Sequence, residues 1–220
     1  MTRLWFTADL HLGHRMVAES RGYTTTTEHD DAIAAEWDKT VHEGDHVWLL
    51  GDLTLGGQQK VHDALYWVSE RPGVKHLISG NHDQTHPMHR TAYRHMDEWR
   101  DTAFESVQER QYRKLHGHRV LLSHFPYLGD PNGDHTTIER FGQWRFPPND
   151  PGKWIVHGHT HSKLRCAPQW RSVHVGWDAW GTLVESRTVA GMIDEYGDVS
   201  AAFGIAPPDS VEPVAAGVLL

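Results

Sequence analysis

The segment "WIVHGHTHSK", residues 154 to 163, places His157, His159 and His161 within five positions, directly after an apolar run. Neutral imidazole is the commonest protein ligand for transition metals, so this density asks whether a metal is held here. The chain has 19 histidines among its 220 residues, and clustering alone therefore decides nothing. Co-ligands decide it. Asp9-Leu10-His11 follows "RLWFTA", Gly51-Asp52 follows "HVWLL", Gly80-Asn81-His82-Asp83 follows "VKHLIS", and His124 follows "RVLLS". Each is a nitrogen or oxygen donor standing just past a run of strand length. Parallel strands that end together deliver such residues to one crevice at their carboxyl ends.

The spacings have physical reasons. In an extended chain, residues i and i+2 point the same way, so Asp9 with His11, and His159 with His161, are expected to face one ion. Glycines at 51, 80 and 158 permit tight turns and close backbone approach. An aspartate can bridge two cations with its two oxygens, and the Asn81 amide ligates without adding charge. With Asp9 and Asp52 as the anionic ligands, two divalent cations keep a net positive charge that attracts a phosphate. His116 and His118 flank Gly117 between two strand-like runs and read as a hairpin turn.

The elements that must position these residues are legible as periodicity. Apolar runs at 3–8, 46–51, 74–79, 119–124, 153–158 and 172–177 are mostly apolar throughout, which predicts strands buried on both faces. "TTEHDDAIAAEWDKTVH" repeats Ile33, Trp37 and Val41 at helical spacing, with Thr26 or Thr27 as cap. "QQKVHDALYWVSERPG" places Val61, Leu65 and Val68 on one face and stops at Pro72-Gly73. A third helix is expected over "PMHRTAYRHMDEWR", with Pro87 in its first turn. Strand–helix alternation early and strand richness later predict an α/β layer fold with a mixed sheet or two packed sheets. Residues 126 to 153 form a long Gly/Pro-rich connection in which Tyr127 and Arg145 are read as surface loop residues rather than substrate contacts. One domain over 1–197 and a tail over 198–220 are expected.

Composition excludes several classes. The longest apolar runs are of strand length, short of the roughly 20 residues that span a bilayer. The start "MTRLWFTADL" lacks the pattern of a signal peptide. A single cysteine, Cys166, excludes an internal disulfide and a thiolate-based zinc site and fits a cytoplasmic compartment. A net charge of −8 argues against duplex-DNA binding. The basic stretch "RQYRKLHGHR" is read as a solvated hairpin, and a small substrate suits the chain better than a long polyanion.

The ordered blocks D-x-H, G-D, G-N-H-D, a lone H and G-H-x-H, from Asp9 to His161, resemble the motif set of the calcineurin-like metallophosphoesterases. "FTADLHLGH" and "VGWDAW" look like that family's small bacterial and phage branch. The resemblance implies an αββα sandwich of two mixed sheets flanked by helices, with a di-metal site at strand carboxyl ends. It implies one metal on Asp9, His11, bridging Asp52 and His161, and another on Asp52, Asn81, His124 and His159. His82 would sit by the substrate as general acid or phosphoryl-oxygen stabiliser. Asp83 would either orient His82 or cap the following turn. Mn²⁺ is the expected ion, with Fe, Zn or Ni as substitutes. The expected activity is hydrolysis of small nucleotide phosphodiesters, cyclic 2′,3′ or 3′,5′ forms included, by in-line attack of a hydroxide shared by the two ions. Phosphomonoester or protein-phosphatase activity is the alternative, although "GDLTLGG" departs from the G-D-x-V-D-R-G of protein Ser/Thr phosphatases. A non-catalytic scaffold of the same fold is a further alternative, and homo-oligomerisation is compatible with the sequence.

Overall fold

A computed structural model describes residues 2–130, 141–147 and 153–202. Two five-stranded sheets form the body. The first has the order β10-β1-β2-β3-β4, from Val184–Glu185, Leu4–Thr7, His46–Leu49, Val74–Ile78 and Ser106–Gln108. The second has the order β5-β6-β7-β9-β8, from Arg110–Leu115, His118–Ser123, Trp154–His157, Ser172–His174 and Cys166–Ala167. Both are mixed: β1, β2, β3 and β4 run parallel with β10 antiparallel, and β6, β7 and β9 run parallel between antiparallel β5 and β8. The two-sheet α/β sandwich that the motifs implied is the observed fold.

Strands buried on both faces follow from where alternate residues go. Phe6, Trp48 and Ile78 of the first sheet meet Val120, Leu122, Trp154, Val156 and Val173 of the second in the layer between the sheets. Trp5, Val47, Leu49 and Leu77 turn the other way, onto helices. Those helices are α2 (Thr26–Thr40), α3 (Gln58–Ser69) and α4 (Met96–Thr102). They bring Ile33 and Trp37, then Val61, Leu65 and Val68, then Trp99. Trp37 is fully buried, and cutting it to alanine would cost about 3–5 kcal/mol. The short α1 (Arg15–Ser20) and α5 (Trp177–Trp180) lie beside the strand ends, and α6 (Ser186–Ala202) adds Val189 and Ile193 to the inter-sheet layer.

Three local expectations need correction. The cap of α2 is Thr25, one residue before the expected pair. Its side chain accepts from the Glu28 N–H and Glu28 reaches back to the Thr25 N–H, a reciprocal pair that a cap at Thr26 or Thr27 would not make. The third helix does not start at Pro87. Residues after Asp83 run through successive turns, with His86 N–H to Asp83 and His89 N–H to His86, and regular helix begins only at Met96. Tyr127 and Arg145 are buried, at 4% and 5% exposure, instead of lying on the surface. Tyr127 packs with Phe146 on Leu121 and Ile155 because that face of the second sheet is apolar.

The hairpin at His116-Gly117 joins β5 and β6 with Leu115 opposite His118, both turn residues having positive φ. Residues 131–140 and 148–152 of the 126–153 connection, and the tail beyond Ala202, lie outside the described residues. No described helix is long and apolar enough to cross a membrane.

Candidate metal centre

The site forms where β1, β2 and β3 of one sheet and β6 and β7 of the other end. Two of these ends are joined by backbone bonds. The Asp9 N–H donates to the Gly51 carbonyl at 2.9 Å, and the His11 N–H donates to the Asp52 carbonyl at 3.1 Å. The expected extended geometry does not hold here. Asp9 (φ 59°), His11 (49°), Asp52 (57°), His159 (72°) and His161 (50°) all take the left-handed conformation. Non-glycine residues rarely do so, and such strain persists only where surroundings hold it. Alternate left-handed residues, not a pleated strand, turn Asp9 with His11 and His159 with His161 toward common points.

Two glycines make the convergence possible. A Cβ at Gly80 would lie 2.3 Å from Asp52 Oδ1 and 2.9 Å from His124 Cε1. At Gly51, φ is 88° and a Cβ would meet His124 Nδ1 at 2.4 Å. Any side chain there would displace a candidate ligand.

Two buried triads result, Asp9–His11–His161 and Asp52–His124–His159, and either could hold a metal ion. Within each triad the ligand atoms lie within 4.8 Å of one another. The donor chemistry fits a cation. The Nδ1–H of His124 donates to the Leu50 carbonyl at 2.8 Å, leaving a lone pair on Nε2. That lone pair faces Asn81 Oδ1 at 3.0 Å and lies 3.2 Å from His159 Nδ1. His161 gives its Nδ1 proton to Asp178 Oδ2 at 2.8 Å, and its Nε2 then faces His11 Nε2 at 3.0 Å. At His124 and Asn81 two acceptors face each other and repel, and a cation between them removes the conflict. The Asp52 carboxylate lies between the triads, with Oδ1 3.5 Å from His124 Nε2 and Oδ2 3.7 Å from His11 Nε2.

Electrostatics prepare the ligands for a metal. Burial holds His11 down at about 3 against the pull of Asp52 and Asp9, and burial likewise holds His159 well below its ordinary value. Both are neutral, as ligation requires. Burial opposes charge on Asp9, yet His174, His161 and His124 outweigh it and keep this carboxyl well below the usual range. For His161 burial is again the largest influence, but Asp178 and Asp9 overcome it and raise this residue.

The other residues singled out in the sequence fall around the triads. His82 is at the rim, with its side chain 35% exposed and Nε2 3.9 Å from Asp52 Oδ2. Its backbone N–H donates to Asp52 Oδ1 at 2.9 Å. Asp83 is buried and takes a different role from orienting His82. Its carboxylate accepts from the backbone N–H groups of Asp52, Leu53 and Gly80, at 3.0, 3.0 and 2.7 Å. Burial, then Asp52, pushes its carboxyl up to about 7. His157 stays outside both triads, its Nδ1–H donating to the Gly158 carbonyl. Arg145 is near enough to His159 to act on its charge.

Three residues escaped the sequence reading. Arg21 and Asp178 form a buried ion pair at 2.6 Å, and Asp178 holds His161. His174 lies 3.8 Å from Asp9 Oδ2, with Gly176 pressed against its ring. Only "VGWDAW" pointed to this region, and it did so without a role.

No protein-family model matches the chain. Over 201 residues it is 44% identical to the gene 66 protein of Mycobacterium phage D29, covering 89% of this chain and 98% of that protein. It belongs to the mycobacteriophage gene 66 protein family. The gene 66 protein of Mycobacterium phage L5 is 42% identical over 204 residues, covering 88% and 95% of the two chains. Among solved structures, a protein of unknown function from Aquifex aeolicus superposes with a TM-score of 0.64 at 21% identity. The match covers 88% of this chain and all of that one, and shows a shared fold. In this gene 66 family chain, every candidate ligand from Asp9 to His161 therefore sits on a scaffold that is not peculiar to it.

Proposed function

We propose that the protein is a di-metal phosphodiesterase of the calcineurin-like metallophosphoesterase type, acting on small nucleotide phosphodiesters, cyclic ones included. The observation that supports it most is the pair of buried triads with Asp52 between them and His82 open to solvent beside it. Asp9, His11, Asp52 and His161 would hold one divalent cation, and Asp52, Asn81, His124 and His159 the other. An imidazole and oxygen set without thiolate suits first-row ions, Mn²⁺ foremost. Bound cations supply a water nucleophile at neutral pH and offset charge on phosphoryl oxygens.

The chain's own groups supply the rest. Two carboxylates against two divalent cations leave a positive excess, which draws in an anionic diester. Asp83 anchors three backbone amides around Asp52 and thereby fixes that carboxylate between the triads. His82, with its side chain about a third exposed, would give a proton to the departing oxygen. Its exposure lets it regain that proton from solvent.

The test combines metal analysis with a substrate panel. Elemental analysis of metal-supplemented protein should give two ions per chain. Each metal is then assayed with 2′,3′ and 3′,5′ cyclic nucleotides, bis(nitrophenyl) phosphate and nitrophenyl phosphate. Diesters should turn over faster than monoesters. A preference for monoesters would replace the diesterase reading with a phosphomonoesterase, and no turnover with both ions bound would point to a scaffold.

A further inference from the structure

The guanidinium of Arg21, at the end of α1, has an acceptor for each of its five N–H donors. Nε donates to Asp178 Oδ1 at 3.0 Å and one terminal nitrogen to Asp178 Oδ2 at 2.6 Å. The same nitrogen donates to the Asp9 carbonyl at 2.7 Å. The other terminal nitrogen serves the Leu10 carbonyl at 3.1 Å and His29 Nε2 at 2.9 Å. His29 passes its Nδ1 proton to Asp30 at 2.7 Å, and Asp30 accepts the Gly13 N–H at 2.9 Å. The ion pair is nearly dry, with side chains 5% and 9% exposed.

This network touches one triad only. It grips the carbonyls of Asp9 and Leu10, both within the segment that joins left-handed Asp9 to left-handed His11, and it orients His161 through Asp178. None of its bonds reaches Asp52, His124 or His159. Asp52 is held by Asp83 and His124 by the Leu50 carbonyl, whereas the His159 N–H donates to the Asp9 carboxylate at 2.9 Å. Backbone bonds from His11 to Asp52 and from His159 to Asp9 join the two triads, but the side chains of Asp52 and His124 have supports separate from the Arg21–Asp178 network.

We infer that Arg21 and Asp178 are positioning residues that set the affinity of the Asp9–His11–His161 metal position and leave the Asp52–His124–His159 position unaffected. The inference rests on the di-metal reading above. Asp178 keeps the proton of His161 on Nδ1, so that Nε2 presents its lone pair inward. Arg21 holds the strained Asp9–His11 segment in the ligating shape before any ion arrives. Partners of metal-bound histidines typically contribute about 10–100-fold in metal affinity.

The experiment is Mn²⁺ titration by calorimetry, with electron paramagnetic resonance, on the full chain and on Asp178→Asn. Asn keeps an acceptor for His161 and nearly the same volume. Because a lone change could leave Arg21 buried and unpaired, the double variant Arg21→Met/Asp178→Asn is measured beside it. Wild type should bind two ions and show the signal of a coupled pair. Both variants should hold one ion with wild-type affinity and bind the other about 10–100-fold more weakly. The uncoupled signal should dominate at limiting Mn²⁺, with the coupled one restored by excess. A general loosening of the fold would weaken both ions together, and that result overturns the inference. So does full retention of both affinities. If wild type itself binds fewer than two ions, the di-metal reading fails and the inference falls with it.

Discussion

His11 Nε2 and His161 Nε2 face each other at 3.0 Å across 150 residues of chain. The Nδ1 proton of His161 is committed to Asp178, so its Nε2 is the nitrogen aimed at the second imidazole. With Asp9, this approach brings three candidate ligand atoms within 4.8 Å of one another, a group that could hold a cation.

The first prediction concerns protons. His11, held at about 3, and His159, held well below its ordinary value, are already neutral at pH 7, so neither has a proton to lose. His161 is raised, because Asp178 and Asp9 outweigh the burial that opposes its charge. A raised value means protons compete at this nitrogen up to and beyond the ordinary 6.5. Filling the Asp9–His11–His161 triad near pH 6.5 should therefore release about one proton. Calorimetry in buffers of different ionisation enthalpy counts it. Release of two or more on filling this triad would contradict the burial argument for His11.

Acid should unfold the metal-free protein. Burial, then His46, holds His76 at about 4, and burial, then His124, holds His86 at about 4. In the unfolded chain both titrate near 6.5, so between those values the unfolded state binds more protons. Stability is then complete above about 6.5 and is lost as pH falls toward 4. The urea midpoint should drop between pH 7.5 and pH 5, and His76→Gln, which is remote from the triads, should flatten that drop. An unchanged midpoint at pH 5 would refute it.

Asp52→Ala should damage activity more than His161→Ala. Asp52 has one oxygen 3.5 Å from His124 and the other 3.7 Å from His11, so its loss strips both triads and half of the site's negative charge. Metal ions contribute several kcal/mol of transition-state stabilisation, so a loss of at least about 10³-fold is expected. His161→Ala opens one position that water can fill, and it should retain one ion at wild-type affinity. Equal residual activities at saturating metal, in folded variants, would count against the bridging role.

His82→Ala separates acid catalysis from ligation. Both ions should stay bound, because His82 belongs to neither triad. General acid catalysis contributes about 10²–10⁴-fold, and a nitrophenolate leaves without needing a proton, whereas a ribose alkoxide does not. The variant should lose far more activity on a cyclic nucleotide than on bis(nitrophenyl) phosphate. Similar losses on both would assign His82 to stabilising phosphoryl oxygens instead.

The candidate ligands were legible in the sequence because each stands in a short pattern directly after an apolar run. Strand burial on both faces was legible for the same reason, since it shows as unbroken apolar stretches. Together these local signals determined the layer fold and the list from Asp9 to His161. Other features were decided only by the tertiary structure. The left-handed turns at Asp9, His11, Asp52, His159 and His161 depend on backbone bonds between different strand ends, which no local periodicity encodes. The sequence left Asp83 either orienting His82 or capping the following turn, and packing directs its carboxylate to the amides of Asp52, Leu53 and Gly80. Arg21 and Asp178 were invisible as a pair because they are 157 residues apart and neither sits in a ligand motif. A buried ion pair is selected by the cavity that desolvates it, and that cavity exists only once both sheets and α1 have come together.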